Sequence, residues 1–129
     1  RGQALILDTN ALSALAEGEP GIEPLLRKAH QLSIPVIVLG EYRYGISLSR
    51  ERRQYEKWLA EYLPKFQVLD VDEQTTLPYS AIRTELKTAG TPIPSNDCWI
   101  AALCRRHSVP IISRDRHFDL VPGIQRISW

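Results

Sequence analysis

Four acidic residues stand where packing alone gives a carboxylate little to do. Asp8 closes the apolar run Ala4-Leu5-Ile6-Leu7. Glu41 lies in Gly40-Glu41-Tyr42-Arg43-Tyr44-Gly45, just after Pro35-Val36-Ile37-Val38. Asp97 opens the segment Asp97-Cys98-Trp99-Ile100-Ala101-Ala102, and Asp115 follows Val109-Pro110-Ile111-Ile112-Ser113. Each has a plainer reading by itself. Asp8 could cap a helix, a gain of roughly 1 kcal/mol. Asp97 could complement a helix N-terminus, at about 0.3–1 kcal/mol. Glu41 could face solvent, and Asp115 could be a surface charge between Arg114 and Arg116. Together they pose a different problem. Two carboxylates about 4 Å apart repel by roughly 4 kcal/mol at an effective dielectric near 20. A cluster of four therefore raises its own pKa values or recruits a cation. Oxygen ligands favour a hard ion, Mg²⁺ or Mn²⁺, over zinc. Such an ion can orient a water and stabilise charge on a phosphate being displaced. Asn10, Asn96 and Ser113 are suited to hold the carboxylates or the attacking water from behind.

The elements that would position these residues can be read from periodicity. Ala4 to Leu7 reads as a buried strand, with Asp8-Thr9-Asn10 offering polar caps to a helix over Ala11 to Ala16. Gly18 and Pro20 break that helix, and the spacing of Ile22, Leu25, Leu26, Ala29 and Leu32 predicts another over 22–32. Pro35 to Val38 is β-branched and predicts a second strand. A helix carrying Glu41, Tyr44 and Leu48 is expected from about Leu39, and another from about Glu51 to Leu63, ended by Pro64. Phe66 to Val71 reads as a strand, and Glu73 to Ala89 as a helix closed by Gly90. After Pro92 and Pro94, Ser95 or Asn96 is expected to cap a helix over Asp97 to His107. Val109 to Ser113 and Ile124 to Ile127 read as strands on either side of the turn Val121-Pro122-Gly123. Apolar strands alternating with helices argue for an α/β fold with a central, mostly parallel sheet covered on both faces. Ligands in such sheets bind beyond the carboxyl ends of the strands, where Asp8, Asp97 and Asp115 all fall.

The bulk properties fit one domain of 129 residues with an ordinary core: 43% hydrophobic, 24% charged, net charge +1. Gathering four of the fifteen acids in one site leaves sixteen Lys and Arg against eleven acids elsewhere, a surface suited to a polyanion. No apolar run is long enough to span a bilayer, and no secretory leader is visible, so the expected location is cytoplasmic. No methionine occurs, and the expectation is that the natural start has been trimmed or replaced. Cys98 and Cys104 are spaced neither for a disulfide on one helix nor for zinc, and read as small buried residues.

Four stretches together carry a resemblance. Leu5-Ile6-Leu7-Asp8-Thr9-Asn10, Glu41 with Gly45, Ile93 to Ala102 around Asp97, and Ile112-Ser113-Arg114-Asp115-Arg116-His117-Phe118 resemble, in order, the four acidic motifs of PIN-domain nucleases. The likeness is to the small VapC-type toxins of toxin–antitoxin pairs in particular, and it covers nearly the whole chain. It implies an α/β/α sandwich over residues 1–129 and Mg²⁺- or Mn²⁺-dependent endonucleolytic cleavage of RNA. It implies Asp8 and Asp97 as principal metal ligands, with Glu41 and Asp115 completing the site. It also implies a homodimer silenced by a cognate antitoxin protein. One position departs from a common family pattern: His117 stands where many PIN domains carry a further acid, which leaves open whether Asp119 substitutes.

Arg114 and Arg116, flanking Asp115, are candidate phosphate contacts, with Arg43 a further one; each could equally be a solvated surface charge. Arg50, Arg52 and Arg53 read as a plain charged face. Nothing resembles a reader of duplex RNA, which favours a structured RNA with an exposed loop, such as a tRNA. The competing readings are a catalytically silent PIN-like module that binds RNA or protein, and a phosphotransferase or receiver domain built on Asp8. The last two lack their second acid, since Asn10 stands two residues beyond Asp8 and no acid adjoins it.

Overall fold

A computed structural model describes residues 3–129. The first apolar run forms β1 (Ala4–Leu7), the middle strand of a five-stranded sheet. On one side lie β2 (Gln31–Pro35) and then β3 (Gln67–Leu69); on the other lie β4 (Ile111–Ile112) and then β5 (Arg126–Ile127). All four pairings are parallel. The crossovers are made by α1 (Thr9–Glu17), α2 (Ile22–Arg27), α3 (Val36–Ser47), α4 (Arg52–Tyr62), α5 (Thr76–Ala89) and α6 (Ser95–His107). Short 3₁₀ turns cover Leu63–Lys65, Glu73–Thr75 and Arg116–Leu120.

Alternation along the strands splits the interior into two cores. Leu5, Leu7 and Ile112 face α1 and α2, packing with Ala11, Ala14, Ile22 and Leu26. Ile6, Ile34 and Ile111 face the other way, into a larger cluster with Val38, Tyr42, Ile46, Ile82, Ala101 and Phe118. This is the expected three-layer sandwich, and its sheet is parallel throughout. Cys98 and Cys104 are free and buried, as their spacing implied.

Two elements differ from the sequence reading. The helix expected over 22–32 stops at Arg27, and Leu32 belongs to β2. Register with β1, Ala4 opposite Gln31 through Ile6 opposite Ser33, takes the chain into the sheet and overrides the helical spacing. The strand expected over Pro35 to Val38 survives only at Pro35, which becomes the N-cap of α3. Val36, Ile37 and Val38 form that helix's first turn despite their β-branching, because Val38, Tyr42 and Ile46 then make a buried stripe at four-residue spacing. A smaller shift affects α6. Pro94 occupies its N-cap without a side-chain hydrogen bond, so Ser95 and Asn96 are helical residues and not caps.

Phe118 joins the fold to the chemistry. It is fully buried beneath the 3₁₀ turn that follows Asp115. Phe118→Ala is expected to lower the unfolding free energy by about 3–5 kcal/mol in a urea titration. A loss below about 1 kcal/mol would show that the turn is anchored by something else.

Candidate active site

The strand order places β2 and β3 on one side of β1 and β4 and β5 on the other, so the connections diverge between β1 and β4. A crevice opens at such a point beyond the carboxyl ends of the strands. Leu7 pairs with Ile112, and the Asp8 amide donates to the Ile112 carbonyl at 3.1 Å. Asp8 and Ser113 therefore leave the sheet side by side, both buried.

Ser113 Oγ joins the two strand ends. It donates to Asp8 Oδ2 at 2.7 Å, and accepts from the Asp115 amide at 2.9 Å and from Asn10 Nδ2 at 3.2 Å. That is the full capacity of a hydroxyl, one donor and two acceptor positions. Asp8 caps α1, accepting from the Thr9 amide at 2.8 Å. Asn10 Nδ2 also lies 3.3 Å from Asp8 Oδ2, and its carbonyl oxygen accepts from the Arg114 amide at 3.1 Å.

Glu41 reaches the same crevice from α3. Thr9 Oγ1 donates to one of its carboxylate oxygens at 3.0 Å and Asn96 Nδ2 to the other at 3.2 Å. Asp97, in the first turn of α6, lies 2.9 Å from His117 Nδ1 through Oδ2. The same nitrogen is 3.2 Å from Asp115 Oδ1. Asp115 caps the last 3₁₀ turn, accepting from the His117 amide at 2.9 Å. Asp97, Asp115 and His117 each offer a ligand atom, all within 4.8 Å of one another, a spacing that could hold a metal ion. Asp8 stands outside that tight group, deeper in the crevice, but within electrostatic reach of Asp97 and Glu41.

The charges are mutually costly. Burial raises the Asp8 carboxyl above the ordinary carboxylate range, and the negative charges of Asp97 and Glu41 raise it further, against hydrogen bonds from Ser113 and Thr9. Burial likewise raises Asp97, with Asp115 and Glu41 adding to it and the His117 contact opposing. The hydrogen bond to Asp97 raises the His117 imidazole above its ordinary value.

The crevice thus brings together Asp8, Asn10, Glu41, Asn96, Asp97, Ser113 and Asp115. Arg114 points elsewhere: its guanidinium pairs with Glu19 and lies 4.3 Å over the Trp129 ring. Arg116 is exposed at the start of the 3₁₀ turn, and Arg43 is exposed on α3. Asp119 is held by Arg126 through two hydrogen bonds of 2.8 and 3.0 Å, so it does not replace the acid absent at position 117. Sequence reasoning passed over Thr9 as a side-chain partner of Glu41. Its place directly after Asp8 was the available signal. His117, which stands where many PIN domains carry an acid, instead bridges two of the acids.

The raised carboxyls make a sign-definite prediction. A folded pKa above the unfolded one contributes stability that is fully present below about pH 4, and that stability is lost as pH rises through the raised folded value. Asp97→Asn escapes that loss. In EDTA at pH 7 its thermal midpoint should exceed that of the parent by a few degrees, and the gain should fade towards pH 4. A variant no more stable than the parent at pH 7 would show that the charge is not penalised there.

Comparison with known proteins agrees with this geometry. The PIN-domain family model matches residues 5–124. Ribonuclease VapC2 of Rickettsia felis is 29% identical over 106 residues, which are 81% of this chain and 79% of that protein. The tRNA(fMet)-specific endonuclease VapC of Salmonella typhimurium is 27% identical over 127 residues, 96% of each. Among solved structures, VapBC2 from Rickettsia felis bound to a DNA fragment from its promoter superposes with a TM-score of 0.87 at 26% identity. It covers 98% of this chain and 99% of that one. The family match takes in all four acids, and the chain belongs to the PIN-domain family.

Proposed function

We propose that this protein is a Mg²⁺-dependent endoribonuclease and the toxin of a toxin–antitoxin pair. The observation that carries the reading is the convergence of Asp8, Glu41, Asp97 and Asp115 on one crevice at the divergence point of a PIN sheet. Relatives named as ribonucleases support the activity, and neighbours solved as VapBC assemblies support the partner. The donor set suits a divalent ion, because Asp8 and Asp97, both raised, have no neutralising Arg or Lys beside them among the described residues. Asp8 and Asp97 would hold the ion, with Asp115 beside them. Mn²⁺ would also serve, since carboxylate oxygens suit it as they suit Mg²⁺. When bound, the ion supplies charge neutralisation at the phosphate and acidifies water for attack.

The remaining work belongs to the chain. Ser113 and the Thr9 amide fix both oxygens of Asp8. Thr9 and Asn96 fix both oxygens of Glu41 and so orient it for water. His117 keeps Asp97 and Asp115 together while carrying a proton at Nδ1. Arg116 is left to meet phosphate at the rim, whereas Arg114 would first have to leave Glu19 and Trp129. An RNA with an exposed loop remains the favoured substrate, and the tRNA(fMet)-specific relative supports that choice. The protein acts in the cytoplasm as a homodimer, each chain a single domain, and is inhibited by an antitoxin that lays a basic side chain against the acids.

Cleavage of total RNA by the purified protein tests the reading. With Mg²⁺ it should be cut, with EDTA it should survive, and Asp97→Asn should reduce the rate by at least about a hundredfold. RNA bound equally with and without the ion, and never cut, would make the protein a silent binding module.

A further inference from the structure

Clustered acids repel a polyanionic strand, so a strand that reaches them needs cations beside the crevice. Many of the guanidiniums are already committed to acids. Arg114 pairs with Glu19, Arg126 with Asp119, Arg105 with Glu85 and Arg106 with Asp72. Arg83 and Lys87 on α5 have no acidic partner among the described residues.

Both line a cleft of about 370 Å³ between α5 and the loop that leads into α6. Arg83, Thr84 and Lys87 form one wall, and Pro92 and Ile93 form the other. The buried residues Leu86 and Cys98 lie at its floor. Arg83 and Lys87 stand four residues apart, one turn along the same face of the helix. No acid lines the cleft. Glu85, close to both in sequence, instead takes hydrogen bonds of 3.0 and 2.9 Å from Arg105. Arg83 is also held in place. Its Nη1 donates to the Tyr79 hydroxyl at 2.9 Å, and its guanidinium lies 5.7 Å from the centre of that ring. Tyr79 in turn stacks on Trp99 of α6, with ring centres 3.6 Å apart. A guanidinium steadied on an aromatic face keeps its remaining N–H donors and loses less freedom on meeting a phosphate.

The cleft adjoins the acids through α6. Cys98, at its floor, follows Asp97 directly, with about 3.8 Å between their Cα atoms. Ile93, in the far wall, is three residues before Asn96, which holds Glu41. A ligand in the cleft therefore lies around the first turn of α6 from the metal-binding carboxylates. Another cleft, lined by His30 and Lys65, also has cations and no acid, but it lies at the amino ends of β2 and β3, away from the acids. The lining beside α6 selects an anion that carries apolar surface. Arg83 and Lys87 suit a phosphate, while Leu86, Pro92 and Ile93 suit a sugar and base and have no side-chain polar atoms with which to read a base edge.

We infer that this cleft is a backbone subsite for the RNA strand, in which Arg83 and Lys87 share one phosphate flanking the scissile bond and the attached nucleoside lies against Pro92 and Ile93. The inference rests on the nuclease reading for the identity of the polymer, but its test does not depend on cleavage. An acidic segment of a protein partner shares the negative charge, and the test separates it from RNA.

The test is binding of fluorescein-labelled single-stranded RNA to Asp8→Asn protein in Mg²⁺, followed by fluorescence anisotropy over a series of salt concentrations. Adding Arg83→Gln and Lys87→Gln together should weaken binding by about fivefold at low salt, alike for oligonucleotides of different base composition. The slope of log affinity against log salt should fall by about 0.7, the value for one phosphate of a single strand. Thr84→Phe fills the cleft without removing charge, and should weaken binding while leaving the slope unchanged. Lys28→Gln, beside the amino end of β2, should alter neither. The inference is overturned if the double variant binds RNA as the parent does, if Lys28→Gln weakens binding equally, or if the parent binds no RNA. It is equally overturned if the double variant keeps its RNA affinity but loses binding of labelled polyglutamate, which would assign the cleft to an acidic protein segment. Loss of RNA binding together with a changed oligomeric state in light scattering would assign the cleft to a second copy of the chain, and would also overturn it. Absence of cleavage in the separate total-RNA assay, with the predicted losses of binding intact, would remove the nuclease reading and leave the subsite standing.

Discussion

Repulsion among the carboxylates is the constraint around which the active end of the sheet is organised. Asp8 is buried with two other acids in electrostatic reach, a placement the chain holds only by restraining it from several directions. Ser113 Oγ is the main restraint. By donating to Asp8, 105 positions away in sequence, and accepting from the Asp115 amide, it couples the first acid to the last. The parallel pairing of Leu7 with Ile112 makes this contact possible, because register delivers both residues to the same point at the end of the sheet.

Helix ends do much of the remaining work. Asp8 and Asp115 are N-caps, and Asp97 lies in a first turn. Three of the four acids thus sit where unsatisfied backbone amides and the helix dipole favour negative charge. Glu41 lies in mid-helix and relies instead on Thr9 and Asn96, one for each oxygen. His117 Nδ1 bridges Asp97 and Asp115 where they converge. These devices moderate the repulsion without removing it, since Asp8 and Asp97 stay raised. The residual unfavourable charge leaves the crevice suited to a divalent ion, an antitoxin cation or protons.

Most of this arrangement is legible in the sequence because it depends on strand ends. An acid that closes an apolar run marks a carboxyl terminus of the sheet, and the sequence alone places Asp8 and Asp115 that way. The polar helpers Asn10, Asn96 and Ser113 follow from their nearness in sequence to Asp8, Asp97 and Asp115. What the sequence hid was decided by contacts distant along the chain. Leu32 fits a helical spacing and lies in a strand because β1 supplies its partners. Val36 to Val38 have strand propensity and fold as helix because Tyr42 and Ile46 continue their stripe. Arg114 stands beside Asp115 in sequence, yet Glu19 and the Trp129 ring draw its side chain away. The cleft lined by Arg83, Lys87 and Ile93 has no local signature, since it forms only where α5 packs beside the loop into α6.

The account stands on the claim that the four acids form a cation-binding centre. Titration of the apo protein with Mn²⁺ at neutral pH, read by the electron paramagnetic resonance signal of the free ion, tests that claim most directly. Saturable loss of the free-ion signal, reversed by excess Mg²⁺ and absent in Asp8→Asn and Asp97→Asn, is the predicted result. A free-ion signal that rises in proportion to added Mn²⁺, as it does without protein, would contradict it.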